Sequence, residues 1–239
     1  MLNSILRYSL TALLAATLFT SCNPFAKDKE VYVKIELEAE GQPLDINDNW
    51  VIRDTAYQFD YIHFFLSHIT LGDQEVSDVR FVDAGDPSSM LFTLPTTIKG
   101  AQEVSFSIGL DSLQNSSDPT TFSNDHPLSA ANAMYWSWAT KYRFLKIDGR
   151  MNVSGVLGTD DVLIAWHPGA DALYRTAELD PSGPTVSRED TLVLKLDYGK
   201  YLELLDLPEE NQTHTMPSDY DVAVSVVDAF SKSWSVSVR

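Results

Sequence analysis

The chain has 239 residues, 44% hydrophobic and 21% charged, a balance that suits a packed domain and excludes extensive disorder. Its 17 basic and 34 acidic residues leave a formal charge of −17, which argues against nucleic acid as a partner and against anionic lipid headgroups unless the attachment is covalent. The one cysteine, Cys22, excludes an intramolecular disulfide.

In chain order, residues 1–21 read as a lipoprotein signal peptide. Arg7 supplies the positive region, and the apolar run from Ser9 to Phe19 is too short to span a bilayer. Thr20 and Ser21 then precede Cys22, which is expected to become the first mature residue and to carry the lipid. An ordinary secretory signal with a stray cysteine is the rival reading. Residues 22–30 are a polar tether, and Lys27–Glu30 weakly resembles the charged export tags of surface lipoproteins in Bacteroidota. The expected location is the outer membrane, with the protein facing the periplasm or the surface. Residues 31–239 form a single domain, because no repeat or linker divides them.

Val31 to Ala39 alternates strictly and predicts a half-buried strand. Tyr57 to Leu71 is β-branched and aromatic, closed by Gly72-Asp73, and also reads as a strand. His63 and His68 lie within it an odd number of residues apart, so a regular strand points them to opposite faces and both read as structural. Short strands follow near 75–83 and 90–94, and Val104, Phe106 and Ile108 point inward from another over 102–110. Residues 111–124 are a long polar loop. Strands are expected over 162–166, 191–197 and 233–238, and a short helix over 198–205. Residues 219–230 suit either a helix capped by Ser218 or Asp219, or a strand. Many short strands with long loops and one or two short helices predict an all-β fold, an antiparallel β-sandwich.

The chemistry converges on Asp125 to Gly149. This stretch begins as a loop around His126-Pro127 and becomes dense in aromatics: Tyr135, Trp136, Trp138, Tyr142 and Phe144. Alternation from Lys141 points Tyr142, Phe144 and Ile147 inward, and Arg143 and Lys146 outward. On an extended chain Trp136 and Trp138 share a face, as a core pair or as the wall of a site. The chain has no Gly-rich phosphate loop, HExxH, CxxC or GxSxG, and without a mature cysteine thiol catalysis is excluded. These absences argue for a binding protein rather than an enzyme. Of five histidines, His126, His167 and His214 lie in loops or at strand ends, where loops converge, and His214 stands beside Met216. Imidazole with thioether is a ligand set that suits copper.

Met134-Tyr-Trp-Ser-Trp138, with Tyr142-Arg-Phe144 and Asp148-Gly149, resembles the signature of the copper-binding MbnP-like family of secreted or lipid-anchored bacterial proteins. Phe106–Asp111, Trp166-His-Pro-Gly169 and Thr213-His-Thr-Met216 fit the family's order, so the resemblance covers nearly the whole mature chain. It implies copper held by His167 and His214, the latter in a motif that ends at Met216, while His126 is a further candidate donor only by its place ahead of the paired tryptophans. It also implies a kynurenine derived from Trp136 or Trp138, made by a di-haem cytochrome c peroxidase-like partner. Three residues depart from the pattern: Pro168 replaces leucine, and Ala133 and Lys141 replace glycines. The last two matter where those glycines hold positive φ. The alternative is a surface module without metal, whose exposed aromatics recognise a glycan or a protein.

Overall fold

The computed structural model describes residues 30–95, 102–136, 141–180, 183–187 and 190–239. The expected signal peptide, Cys22, all but the last tether residue, and Trp138 lie outside them. Alternation makes β1 (Glu30–Ala39) a strand that buries Val31, Val33, Ile35, Leu37 and Ala39. The two-residue β2 (Gln42–Pro43) turns back on it, and β3 (Trp50–Ile52) leads antiparallel into β4 (Thr55–Leu71). β5 (Gln74–Asp83) forms a hairpin with β4, β6 (Leu91–Pro95) pairs with β1, and β7 (Val104–Ile108) pairs with β4. After α1 (Ser112–Asn115), a small hairpin of β8 (Tyr135–Trp136) and β9 (Lys141–Tyr142) precedes β10 (Leu145–Asn152). β10 lies between β4 and β11 (Val162–Trp166). β12 (Arg175–Thr176) extends β7, and β13 (Thr191–Asp197) runs beside β1. α2 (Tyr198–Glu203), β14 (Gln212–Thr213), α3 (Tyr220–Lys232) and β15 (Trp234–Val238) complete the chain.

The strands form two main sheets. One has the order β15–β13–β1–β2, with β6 also on β1. The other has the order β12–β7–β4–β10–β11–β14, with β3 and β5 also on β4. Val33, Ile35 and Leu194 from the first sheet share one buried cluster with Phe64, Ile147 and Ile164 from the second. The fold is therefore all-β and sandwich-like, as expected. α3 resolves the open choice at 219–230: Ala223, Val226, Val227 and Phe230 are buried at i, i+3, i+4 and i+7, the spacing of one helical stripe. Phe230 packs edge-on against Phe64 and Trp234, with centroids 5.4 and 5.7 Å apart, fastening the helix to both sheets.

Three features depart from the sequence expectation. β1 pairs parallel with β13, and β14 parallel with β11, so the sandwich is mixed rather than purely antiparallel. Parallel partners are joined by long crossovers, which leave no local signal. The alternating run from Lys141 is not one strand but is interrupted at Arg143–Phe144, and Arg143 is buried, not outward. The polar loop at 111–124 contains a capping box: Asp111 accepts from the Gln114 N–H at 2.8 Å, and the Asp111 N–H donates to Gln114 Oε1 at 3.1 Å. α1 then places Asn115 Oδ1 to accept from the Tyr142 N–H at 3.1 Å, so the loop holds the central aromatic segment.

Candidate metal centre

The parallel pairing of β11 and β14 builds the centre. Ala165 lies beside Gln212 and Trp166 beside Thr213, and the ladder continues as the His167 N–H donates to the Thr213 carbonyl at 2.9 Å. His167 and His214 are the next residues on the two strands, so one register step sets them side by side. Their ring centroids are 5.1 Å apart and nearly perpendicular. The turn after His214 is tied by Asp219, whose carboxylate accepts from Thr213 Oγ1 at 3.0 Å and from the Met216 N–H at 2.8 Å. The turn after His167 is clamped at Gly169, whose N–H donates to Thr215 Oγ1 at 3.0 Å. A β-carbon at Gly169 would overlap the Tyr142 carbonyl oxygen, so only glycine allows this approach.

Asp148 supplies the orienting group. It stands opposite Ala165 on β10, and alternation brings its carboxylate to His167, two residues further along β11. His167 Nε2 lies 2.7 Å from Asp148 Oδ1. The carboxylate only accepts, so Nε2 carries the proton and Nδ1 of the neutral ring keeps its lone pair. Nδ1 is buried and has no hydrogen-bond partner, in a residue 8% exposed. A buried acceptor without a partner is costly unless something else occupies it. Burial would raise the Asp148 carboxyl, but the His167 hydrogen bond, with Lys146 and Arg143, outweighs it and holds Asp148 below the usual carboxylate range. Burial and then the neighbouring His167 push His214 below its usual value, toward the neutral form that binds metal.

Trp136 closes the group. Its ring stacks on His214 at 5.4 Å with planes 8° apart, and meets His167 edge-on at the same distance. The Arg143 guanidinium lies 4.7 Å from the Trp136 ring centroid and also donates to the Ala133 carbonyl. Burial pushes Arg143 down from its usual value. Ala133 and Lys141, the two residues standing where glycine is the pattern, have φ of 51° and 70°, in the left-handed region.

The structure thus brings together Trp136, His167 and His214 among the residues singled out from sequence. Met216 follows His214 in the same turn and is 42% exposed. His126 makes its contacts within its own loop: its ring stacks on Phe122 at 4.1 Å, and its Nδ1 accepts from the Leu128 N–H at 3.0 Å. His63 pairs with Asp83 at 3.2 Å, in keeping with a structural role. Asp148, Arg143 and Asp219 carry the geometry, although the sequence reading names none of them as a site residue. Asp148 and Arg143 both lie in the aromatic signature, which is the available hint, whereas Asp219 reads as a helix cap.

The MbnP family model matches residues 28–217, a span that holds Trp136, Asp148, His167, His214 and Met216. No curated protein is significantly similar in sequence. Among solved structures, MbnP from Methylosinus trichosporium superposes with a TM-score of 0.45 at 16% identity, covering 73% of this chain and 78% of that one. With well over half of its length inside the family model, the chain belongs to the MbnP family.

Proposed function

We propose that this protein binds copper through His167 and His214, beside Trp136, and serves in copper acquisition or handling rather than in catalysis. The observation that carries the reading is the buried, unpartnered Nδ1 of His167, with Nε2 fixed by Asp148 and the His214 ring 5.1 Å away. A carboxylate that orients an imidazole in this way is the usual outer support of a metal-binding histidine. Copper(I) would meet here two imidazoles and, in Met216 or a modified tryptophan, a further donor of the kind it accepts. Arg143 keeps a positive charge against the indole, and the Asp148 carboxylate offsets it on the histidine side.

The remaining parts of the reading rest on the sequence and on family membership. Cys22 carries a lipid and anchors the protein to the outer membrane, facing the periplasm or the surface. A di-haem peroxidase-like partner oxidises Trp136 or Trp138 to kynurenine. That change exchanges one carbon for one oxygen, a gain of about four mass units that intact-mass measurement of protein from the native host detects.

The deciding experiment is copper(I) titration in competition with a chromophoric chelator. His167→Ala and His214→Ala should each weaken binding by more than about 100-fold, beyond the effect of losing an outer-sphere group. His126→Ala should match wild type. Wild-type affinity in a folded His167→Ala or His214→Ala protein would refute this site.

A further inference from the structure

A second imidazole stands in a metal-ligating setting outside the copper centre. His68 sits where β4 loses register with β7, between Ser67 and Thr70, and its φ is 47°. Ser67 and Ile69 on either side are fully buried. The bulge turns His68 out of the alternation that a regular strand imposes, and bulges of this kind re-aim side chains. The ring is delivered among three carboxylates. Nδ1 lies 2.9 Å from Glu75 Oε2, on β5, and Nε2 lies 2.9 Å from Asp111 Oδ2, at the cap of α1. One ligand atom from each of His68, Glu75 and Asp78 lies within 4.8 Å of the other two.

Two further observations point to a cation. The first is charge: three carboxylates surround one imidazole, leaving a negative excess even when His68 is protonated. Among the described residues no lysine or arginine is ion-paired with Glu75, Asp78 or Asp111. The nearby Arg80 is turned to Ser77 Oγ, at 3.0 Å, and to the face of Phe92, at 4.6 Å. The second is orientation. Asp111 engages Nε2 of His68 as Asp148 engages Nε2 of His167, while Nδ1 faces Glu75; without an ion both nitrogens donate to carboxylates, and a metal at Nδ1 takes the place of that proton. Gln114, 7% exposed, holds both remaining acids in place: its Nε2 donates to Asp78 Oδ1 at 2.7 Å and its N–H to Asp111 Oδ1 at 2.8 Å.

We propose that His68, Glu75 and Asp78 form a second metal site, for a divalent ion of the zinc class, with Asp111 as the orienting carboxylate. One imidazole with two carboxylates suits a borderline divalent ion, whereas copper(I) prefers softer donors and calcium needs six to eight oxygens. Ligands around tetrahedral zinc stand roughly 3.3 Å apart, so small side-chain rotations convert the present hydrogen-bonded set into a coordinating one. The ion would join β4 and β5 to α1, and through Asn115 would brace the backbone of Tyr142, within the aromatic signature. The site stands independently of the copper reading.

The test is zinc titration by calorimetry and thermal melting of chelator-treated protein whose copper centre is removed by His167→Ala with His214→Ala. Zinc should bind and raise the melting temperature. Adding Asp78→Asn or Glu75→Gln should weaken binding at least tenfold, as should His68→Asn, because asparagine tolerates the left-handed backbone while lacking the imidazole. No zinc binding in the parent, or equal binding in the three variants, overturns the proposal. Should the double-alanine background misfold, copper-loaded wild type serves as parent and the same contrasts decide.

Discussion

Ala133 precedes the Trp136 hairpin and Lys141 opens its second strand, with φ of 51° and 70°, where the family pattern has glycine. An L-residue in this region is strained by roughly 1–2 kcal/mol, because its β-carbon crowds the following carbonyl. Replacing it by glycine removes that strain but adds about 0.4–1 kcal/mol of conformational freedom to the unfolded chain. The net expectation is a stabilisation of about 0.5 kcal/mol for each of Ala133→Gly and Lys141→Gly, and about 1 kcal/mol for the pair. For a domain of this size that raises the melting temperature by roughly 2–4 °C. Ala133 meets Arg143 through its backbone carbonyl, which glycine keeps, and both side chains are exposed, so little packing is lost. Urea denaturation with an unchanged slope, alongside calorimetry, measures the effect. Copper affinity should stay within about twofold of wild type, since no proposed ligand changes. A pair of variants destabilised by about 0.5 kcal/mol or more would show that the left-handed backbone here is not strained, and the reasoning would fail.

Three other outcomes are expected. Asp148→Asn should lower copper affinity by roughly tenfold to a hundredfold with the circular-dichroism spectrum unchanged, because it removes the carboxylate that fixes the His167 tautomer and not a ligand; chelator competition reads it. In metal-free protein, burial opposes the charge on His68, but Glu75 and Asp111 outweigh it and raise its pKa above the usual 6.5. The stability this gives is fully present below the unfolded value and is lost as pH rises through the folded one, so wild type should exceed His68→Asn by more at pH 6 than at pH 9 in denaturant melts with chelator present. Cys22→Ser should move the protein from the membrane to the soluble fraction; a variant that stays in the membrane removes the lipid anchor from the reading.

The strands were legible wherever one face is buried and the other wet. Val31 to Ala39 alternates because every second side chain enters the core, and β1 follows residue for residue. The pairing partners were not legible, since Tyr32 meets Thr191 and Trp166 meets Thr213 through register that no local pattern encodes. The same limit applied to the centre. His167 and His214 could be suspected from position and resemblance, but their contact depends on a two-residue parallel ladder. Arg143 was misread because alternation was extended through a break in the strand, where the Trp136 ring and the Ala133 carbonyl receive its guanidinium. For His126 nothing in the sequence signals that the Leu128 N–H takes its Nδ1 within the loop.

The parallel partnership of β1 with β13 also governs when this molecule can come into being. The strand at residues 30–39 sits inside its sheet, and one of its edges stays open until residues 191–197 arrive; β13 in turn waits for β15, which reaches residue 238. Closing so long a stretch of chain must precede the pairing that rewards it, the condition under which domains fold slowly. Until then β1 offers a bare edge beside an apolar face, a template for self-association. The two imidazoles keep the same timetable. His167 has no second imidazole beside it until residues 212–214 lie along β11, so a nascent chain, or one cut short before His214, has no assembled centre to offer a metal ion, however many of its strands have already formed.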